Sequence, residues 1–301
     1  MTAKISGFVA IVGKPNVGKS TLLNALLGQK VAAVSSKPQT TRRNQLGILT
    51  MPEAQIIFTD TPGLREPLNK LGNYMNEEAL FALEDSDVIL FIADISEPPT
   101  VEDRKLAQAV SARKRKQPVL LSLNKTDTVS GETIADRRTQ YGPLLPDAKI
   151  LELSALTREG VPQLLDEMLA VIPEGEFYYP EDQVTDFFER QIAAELIREA
   201  ALENLRDEVP HGVAVRIDQF AERGESGALI EATIFVERES HKGIVIGEGG
   251  KMIKTIGQSA RLEIEGMSGR KVFLDLKVKV DKNWRDNERA LERFGYTRRK
   301  S

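Results

Sequence analysis

The chain has 301 residues and a formal net charge of −4, and 41% of its residues are hydrophobic, which is typical of a globular protein with a sizeable core. It contains no cysteine, so disulfide frameworks and thiolate catalysis are excluded. No stretch approaches the roughly 18 uninterrupted apolar residues of a membrane span, and the N-terminus shows no cleavable signal pattern. We therefore expect a cytoplasmic protein of one large or two ordinary domains.

The first half of the chain alternates apolar runs with helical patterns. The runs, each typical of a buried strand, are GFVAIVG (7–13), AQIIFTD (54–60), DVILFIADI (87–95), QPVLLSLNK (117–125) and AKILELSA (148–155). A stretch long enough for a helix follows each run, which predicts an α/β domain with a mostly parallel sheet and flanking helices on both faces. The segment PEGEFYYPEDQ (173–183) has two prolines, a glycine and four acidic residues, which predicts a linker. The predicted division is a first domain at 1–172, a linker at 173–183 and a second domain at 184–301.

The second half of the chain predicts a smaller, separate α+β domain. Residues 185–208 have helical spacing, and their apolar side chains can share one face: Phe188, Ile192, Leu196 and Leu205. The elements predicted after this helix are two strands (212–220 and 228–238), a glycine-rich loop (247–250) with a helix behind it, an alternating strand (272–280) and a short helix (283–294).

Charge is unevenly distributed along this second half. Residues 183–240 hold 6 Lys/Arg against 13 Asp/Glu, whereas residues 241–301 hold 15 against 8. The local excess of positive charge favours a polyanionic partner, although a solvated surface is the commoner explanation for such a run.

The sequence GKPNVGKS at 13–20 fits the phosphate-binding pattern G-x-x-x-x-G-K-S/T, between a predicted strand and a predicted helix. Its glycines let backbone N–H groups point at a phosphate, and the positive end of the following helix adds to them. We expect Lys19 to reach the outer phosphates and Ser20 to ligate Mg²⁺. A glycine turn with a chance lysine is the alternative. The predicted contacts are Gly13, Lys14, Pro15, Asn16, Val17, Gly18, Lys19, Ser20 and Thr21.

The sequence NKTD at 124–127 ends the fourth predicted strand and predicts which base is bound. Guanine presents a ring N–H beside an amino group, and the carboxylate of Asp127 can accept from both, whereas adenine would leave it unpaired. The segment SAL after the fifth strand can offer a backbone N–H to the guanine carbonyl. A structural turn is the alternative for each motif alone. The predicted base-site residues are Asn124, Lys125, Thr126, Asp127, Ser154, Ala155 and Leu156.

The sequence DTPG at 60–63 ends the second predicted strand. Asp60 can hold Mg²⁺ through water, and the N–H of Gly63 can contact a γ-phosphate. The polar segment PQTTRR (38–43) could order around the nucleotide, with one threonine closing on Mg²⁺. We expect this to be Thr41 rather than Thr40. Such loops would form a switch that is released after hydrolysis. Further predicted contacts in this region are Thr61, Pro62 and Leu64.

With five motifs in residues 13–156, the first domain resembles the translation-factor-related GTPases, and within them the TrmE-Era-EngA-like group. Leu64 stands where many such GTPases have a glutamine that orients water, so the resemblance is to the hydrophobic-substituted subgroup, and a slow intrinsic turnover is expected. In some members an asparagine matching Asn16 helps to hold K⁺, so the resemblance implies potassium stimulation. The predicted catalytic residues are Lys19, Asn16, Thr41 and Gly63, and the predicted metal ligands are Ser20, Thr41 and Asp60.

Three Gly-x-x-Gly matches occur, at 224–227, 247–250 and 266–269. The first predicts a hairpin turn and the third a helix end. The middle match, GEGG, follows the apolar run GIVI and precedes a helix with two faces. Its predicted core face is Ile253, Ile256, Ala260 and Ile264. Its other face carries a basic stripe beside the loop, and the predicted RNA-binding residues are Gly247, Glu248, Gly249, Gly250, Lys251, Lys254, Gln258 and Arg261.

This arrangement resembles KH type II domains, in which a G-x-x-G loop clamps a single-stranded RNA backbone and an adjacent groove reads about four nucleotides. The order helix, two strands, loop, helix, strand is similar to that type. Glu248 departs from the family pattern, since KH loops usually carry neutral or basic residues, and it should weaken phosphate binding unless its side chain turns away. An ordinary strand–turn–helix with solvated lysines is the alternative.

The combination of one GTPase domain and one KH domain is similar to the Era family of bacterial GTPases. The resemblance covers nearly the whole chain, including QTTRRNQLGI, YYPEDQVTD, AAELIRE, GVAVRI, VERESHKGIVIGEGG, VKVDKNWR and ERALERFGY. It implies a monomer that binds GTP and GDP, uses Mg²⁺, binds small-subunit (16S) ribosomal RNA near its 3′ end and assists 30S assembly and rRNA maturation. Peripheral association with the inner face of the cell membrane is also implied. A signalling GTPase whose C-terminal domain binds a protein or membrane partner is the alternative.

Overall fold

The computed structural model describes residues 4–34, 40–64, 66–187, 189–222 and 227–297. The chain divides into two compact units, and the second contains Phe187–Ser301 together with the short segments Ala33–Thr40 and Pro67–Tyr74. The finer division at 1–172, 173–183 and 184–301 stays a prediction. Within the described residues, no helix has both the length and the apolarity required to cross a bilayer.

The first unit contains a six-stranded sheet in the order β2-β3-β1-β4-β5-β6. Its strands are β1 (Ile5–Val12), β2 (Gln45–Met51), β3 (Ala54–Asp60), β4 (Val88–Asp94), β5 (Val119–Asn124) and β6 (Lys149–Leu153). Every neighbouring pair is parallel except β2 and β3, which are antiparallel. The mostly parallel sheet is therefore confirmed. Strand β2 is an addition to the five predicted strands, and it lies at the edge of the sheet, where half-buried positions weaken the apolar pattern.

Helices cover both faces of this sheet. They are α1 (Lys19–Leu27), α2 (Lys70–Asp85), α3 (Val101–Ser111), α4 (Gly131–Tyr141) and α5 (Val161–Leu169). Successive residues of a strand point to opposite faces, so Val9 and Ile11 of β1 join one apolar core with α1 and α5, while Ala10 and Val12 join a second core with α2 and α3. The carboxyl ends of the parallel strands are left to carry the loops.

The predicted linker is attached to the first unit by backbone and side-chain hydrogen bonds. The N–H of Ser6 donates to the carbonyl of Pro173 (3.1 Å), and the N–H of Ile48 donates to the carbonyl of Val184 (2.7 Å). The side-chain oxygen of Gln55 accepts from the N–H of Tyr178 at 2.8 Å. The segment therefore runs along β1, β2 and β3 as an ordered part of this unit.

The second unit is an α+β fold with a three-stranded sheet in the order β7-β8-β9. Its elements are α6 (Glu189–Asn204), β7 (Ala214–Glu222), β8 (Gly227–Val236), α7 (Glu239–Ile246), α8 (Lys251–Ser268), β9 (Lys271–Val280) and α9 (Glu288–Arg293). Strand β8 is antiparallel to β7 and parallel to β9. Core residues from α6, β8 and α8, among them Leu196, Ile230 and Ile256, pack into one apolar cluster.

The run GIVI before the glycine loop ends helix α7 and is not a strand. Buried side chains at His241 and Val245 have the four-residue spacing of one helical face. Two helices therefore connect β8 to its parallel neighbour β9, as a parallel crossover requires. The strand–turn–helix alternative is wrong, and the element order contains one more helix than predicted. Phe188 and Gly224, used in the predicted helix face and hairpin, lie outside the described residues.

Candidate functional site

The loop at 13–20 connects β1 to α1 and leaves no room for side chains at two of its glycines. A Cβ atom on Gly13 would lie 2.5 Å from the carbonyl oxygen of Ile92, and one on Gly18 would lie 2.4 Å from Asn124 Nδ2. Gly18 also has a φ of 100°, and Asn16 has a φ of 66°, both in the left-handed region that favours such residues. Bare backbone therefore lines this loop, as phosphate binding requires.

Lys19 is buried inside the same loop. Its Nζ donates to the carbonyl oxygens of Gly13 and Lys14, both at 3.0 Å. Burial lowers the pKa of Lys19 to about 8, an effect that the negative charge of Asp60 opposes. The ammonium is thus held at the mouth of α1, where the outer phosphates of a nucleotide would gain a charge-assisted hydrogen bond.

Three oxygen-bearing side chains meet beside this lysine. The hydroxyl groups of Ser20 and Thr41 donate to Asp60 Oδ2 at 2.7 and 3.1 Å and lie 3.1 Å from each other. Asp60 Oδ1 is buried and has no hydrogen-bond partner in the described part of the chain. Burial raises the pKa of Asp60, while Lys19, Ser20 and Thr41 lower it. A hard divalent cation prefers oxygen ligands of this kind, so these residues fit Mg²⁺.

The threonine at this cluster is Thr41, the one that we expected from the pair in PQTTRR. Pro38 and Gln39 of that segment lie outside the described residues. Thr41 lies before β2, whereas Asp60 is the last residue of β3 and the first of DTPG. Both contact Ser20, so a ligand at Ser20 can order the segment of Thr41 and the DTPG loop together.

The DTPG segment runs directly against the phosphate loop. The hydroxyl of Thr61 donates to the carbonyl of Ile11 at 2.7 Å, and Pro62 is buried next to it. A Cβ on Gly63 would lie 2.8 Å from the backbone nitrogen of Pro15. Leu64 packs against the second apolar core. A leucine side chain has no donor or acceptor, so it cannot hydrogen-bond to a water molecule.

The base-site motifs are brought together by Asn124. Its Nδ2 donates to the carbonyl of Val17 at 2.7 Å, and its Oδ1 accepts from the N–H of Ala155 at 2.8 Å. One side chain thereby joins the phosphate loop, NKTD and SAL. Asp127 is exposed in a 3₁₀ turn at Thr126–Thr128, and its carboxylate is accessible to a base.

The remaining base-site residues surround this junction. Lys125 has a φ of 72°, and its Nζ lies 2.5 Å from Asp94 Oδ2. Ser154 is buried, and its hydroxyl accepts from the N–H of Thr157 at 3.1 Å. Leu156 is 76% exposed.

Three carboxylates at and after the end of β4 were missing from the predicted site. Asp94 contacts Lys125, and Glu97 and Asp103 both contact Lys14. Lys14 lies 83 residues before Glu97 and 89 before Asp103. No local motif relates positions so far apart, although the acidic residues at the end of a strand and the start of a helix gave a weak signal.

The GEGG loop joins α7 to α8 in the second unit. Gly247, Gly249 and Gly250 all have positive φ, at 72°, 58° and 77°. Gly250 is the N-cap of α8, whose first turn contains no acidic residue. The side chain of Glu248 is exposed. The N–H of Gly250 donates to the carbonyl of Gly247 at 3.1 Å, so it is the exposed backbone at 248–249 and the positive end of α8 that a phosphate can approach.

The first half of α8 places its basic stripe on the solvent side. Its core face packs inward, with Ile256, Ala260 and Ile264 buried and Ile253 half-buried. The exposed residues of the stripe are Lys251, Lys254, Gln258 and Arg261. The third Gly-x-x-Gly match lies at the opposite end of this helix, where Gly269 is a left-handed C-cap whose N–H donates to the carbonyl of Glu265 at 2.9 Å. It is therefore a helix end, as predicted.

Two family profiles match the chain. One, described as 50S ribosome-binding GTPase, matches residues 8–125, and the other, described as KH domain, matches residues 208–285. The first match includes the phosphate loop, the PQTTRR and DTPG segments and the first two residues of NKTD, and the second includes the sheet and the glycine loop of the second unit.

Curated relatives match over nearly their whole length. GTPase Era of Ruminiclostridium cellulolyticum is 45% identical, and the alignment covers 98% of this chain and 99% of the relative. GTPase Era of Geobacter metallireducens is 44% identical, with 97% and 98% covered.

Two solved structures are also similar at 41% sequence identity, each covering 97% of this chain and 99% of the other. One is Era in complex with MgGDPNP and nucleotides 1506–1542 of 16S ribosomal RNA, with a TM-score of 0.93. The other is a variant of Aquifex aeolicus Era bound to GDP and AlF4⁻, with a TM-score of 0.92.

Proposed function

Because the chain belongs to the Era family of GTPases, we propose that it hydrolyses GTP with Mg²⁺ and binds small-subunit (16S) ribosomal RNA near its 3′ end. The relatives that show the family are named as GTPases. The RNA is the one bound in a solved structure of a relative that matches nearly the whole chain. Assistance in 30S assembly and rRNA maturation is the process that these two activities serve together.

The first unit has the parts that phosphoryl transfer needs. The loop backbone and Lys19 bind and orient the phosphates, and we expect the N–H of Gly63 to contact the γ-phosphate. Bound Mg²⁺ supplies positive charge to the developing negative charge on the phosphates. The side chain of Leu64 cannot hydrogen-bond to a water molecule, so we expect turnover without an activator to be slow.

The second unit has the parts that RNA binding needs. The GEGG backbone can contact one phosphate of the RNA. The basic stripe of α8, from Lys251 to Arg261, can contact the phosphates of the same RNA strand beyond the loop. The stripe contributes salt-dependent attraction that does not depend on sequence. Bases that enter the adjacent groove supply the specificity.

The observation that carries the proposal is that Ser20 and Thr41 both donate to Asp60 Oδ2, while the buried Oδ1 of the same carboxylate has no hydrogen-bond partner among the described residues. This cluster joins two loops to the nucleotide site, so GTP and GDP can favour different loop arrangements. GTP can change RNA affinity only if the two arrangements differ in their interactions with RNA or with the RNA-binding domain.

The test is the affinity of the purified protein for RNA containing nucleotides 1506–1542 of 16S rRNA, measured by fluorescence anisotropy. We expect tighter binding with a non-hydrolysable GTP analogue than with GDP or without nucleotide, and weak binding to a scrambled RNA of equal length. Equal RNA affinity in all three nucleotide states would contradict the proposal that the bound nucleotide controls RNA binding. Failure to bind the RNA at all, with GTPase activity intact, would favour the signalling alternative.

Four further properties stay predictions. Potassium stimulation through Asn16 is tested by comparing turnover in K⁺ and Na⁺ buffers at equal ionic strength, and equal rates would contradict it. A monomeric state is tested by light scattering. A cytoplasmic location and peripheral membrane association are tested by fractionating cells with and without a high-salt wash.

A further inference from the structure

Lys14, the first variable residue of the phosphate loop, does not direct its ammonium group into the loop. Its side chain is 8% exposed, and Nζ lies 2.5 Å from Glu97 Oε1 and 3.1 Å from Asp103 Oδ2. Burial acts to lower the pKa of Lys14, but its hydrogen bonds to Glu97 and Asp103 outweigh burial and raise that pKa above its ordinary value. A charged lysine therefore ties the loop to the segment that follows β4.

Asp103 is the buried end of this ion pair. It is the N3 residue of a capping box at the start of α3, in which its carboxylate accepts from the N–H and the hydroxyl of Thr100. Its side chain is completely buried, and Oδ1 has no hydrogen-bond partner in the described ranges. Capping alone does not need the charge of Lys14, whereas a buried carboxylate does need a cation.

Lys14 also contacts the lysine that serves the phosphates. Its backbone carbonyl accepts from Lys19 Nζ at 3.0 Å, beside the carbonyl of Gly13 at the same distance. A change in the backbone conformation of Lys14 would move one of these two carbonyl acceptors. The side chain and the carbonyl of Lys14 thus connect Asp103, at the N-terminus of α3, to the ammonium group of Lys19.

We propose that Asp103, assisted by Glu97, is a positioning residue for GTP hydrolysis that acts through Lys14 on the phosphate loop and Lys19. The inference rests on the proposed GTPase activity and adds to it a contact outside the nucleotide motifs. The pair fixes the first residues of the loop before the nucleotide binds, so less ordering remains to be done in the transition state. A misplacement of about 1 Å at such a site can lower the rate by about a hundredfold.

The test is a double-mutant cycle on kcat at saturating GTP with Asp103→Asn and Lys14→Met. We expect Asp103→Asn to lower kcat by about tenfold or more and to change KM by less than about threefold. In the Lys14→Met background, Asp103→Asn should cause no further loss, because the contact through which it acts is already gone. Lys14→Arg should recover at least half of the activity that Lys14→Met loses, since it keeps the charge.

Thr100→Ala is the matched control for helix capping. It removes the hydroxyl half of the capping box, including one hydrogen bond to Asp103 Oδ2, but the N–H of residue 100 and the ammonium of Lys14 still donate to that oxygen. We therefore expect kcat to stay within about twofold of the unmodified protein while the thermal midpoint falls. If Thr100→Ala lowers kcat as much as Asp103→Asn, or if Asp103→Asn costs the same with and without Lys14, then Asp103 only caps α3 and the inference is wrong.

Glu97→Gln keeps the inference testable if Asp103→Asn fails to fold. Glu97 is 51% exposed, so its substitution does not leave a buried charge. We expect a loss in kcat of about twofold to threefold that disappears in the Lys14→Met background. An unmodified protein without GTPase activity would contradict the proposed function itself. An active protein whose kcat is insensitive to both carboxylates would contradict only this inference.

Discussion

The two glycine-rich loops of the molecule use glycine for different physical reasons. At 13–20, neighbouring atoms enclose the glycines: a Cβ on Gly18 would meet Asn124 at 2.4 Å. At 247–250, a Cβ on Gly249 or Gly250 would meet no other heavy atom of the described residues within 4 Å, and positive φ alone requires these two glycines. The first loop is enclosed by neighbouring atoms, whereas the second is open at Gly249 and Gly250.

This difference indicates how each loop binds phosphate. A nucleotide ends in a compact triphosphate that can be surrounded, so an enclosed and pre-ordered loop increases affinity. An RNA backbone continues past the loop in both directions, so the loop that holds it has to stay open. Glycines with open space around them, Gly249 and Gly250, meet that requirement, and affinity then depends on several weaker contacts along α8.

The largest effect should come from Lys19→Ala in the enclosed loop. The ammonium is buried and has no substitute for its contact with the outer phosphates, so GTP affinity should fall by about a hundredfold. The measurement is titration with a fluorescent GTP analogue, with the exposed Lys116→Ala as control. RNA affinity of the nucleotide-free protein should be unchanged. A parallel loss of RNA affinity would show that the two loops do not bind their phosphates independently.

Gly250→Asp should have the next largest effect, and it should affect the RNA alone. The position has room for a side chain, so the positive φ costs only about 1–2 kcal/mol of stability, but a carboxylate at the start of α8 repels phosphate. We expect a loss of RNA affinity of about tenfold or more with GTP turnover preserved. Gly266→Asp is the matched control, because it adds the same charge near the other end of α8, also in open space. Equal losses from the two variants would mean that the charge acts at long range and that the loop itself holds no phosphate.

The parts of the molecule that could be predicted from sequence are those whose chemistry is local. Ser20 and Asp60 lie 40 residues apart, yet each follows a predicted strand, and parallel strands bring their carboxyl ends to the same edge of a sheet. The basic stripe of α8 follows from helical spacing alone. In both cases a short pattern and one rule of packing are sufficient.

The remaining features depend on tertiary contacts that no local pattern contains. The β-branched residues of GIVI favour a strand, but packing of Val245 in the core and the crossover to β9 make the segment helical. The half-buried edge strand β2 is defined by its pairing with β3. The ion pair of Lys14 with Asp103 joins positions 89 residues apart, and no sequence motif includes both residues.

Thr41→Ala should have an intermediate effect on the nucleotide side. It removes one of the two hydroxyl groups that contact Asp60, and with it a link between the switch loop and the phosphate loop. We expect kcat/KM for GTP to fall by about tenfold and the Mg²⁺ concentration needed for half-maximal activity to rise. Thr40→Ala is the matched control. A larger effect of Thr40→Ala in the Mg²⁺ titration would transfer the metal-ligand role to that residue.

The smallest effects should come from single charges beside the open loop. Lys254→Ala removes one exposed ammonium, so RNA affinity should fall by about twofold to fivefold, and the slope of log K against log salt should decrease by about 0.7. The measurement is anisotropy at four salt concentrations, with the exposed Lys282→Ala as a control in the same domain. An unchanged slope would place the phosphates elsewhere.

Glu248→Gln tests the same loop by removing a negative charge instead of a positive one, so RNA affinity should change in the opposite direction. Its exposed carboxylate lies within the loop that should hold phosphate, so neutralising it should raise RNA affinity by about twofold. The carboxylates near the enclosed loop differ in this respect: Asp60 accepts from Ser20 and Thr41 and is suited to a cation, and Glu97 and Asp103 are paired with Lys14. If Glu248→Gln weakens RNA binding instead, the side chain contacts the RNA directly as a hydrogen-bond acceptor, and the open loop then reads a base edge in addition to holding the backbone.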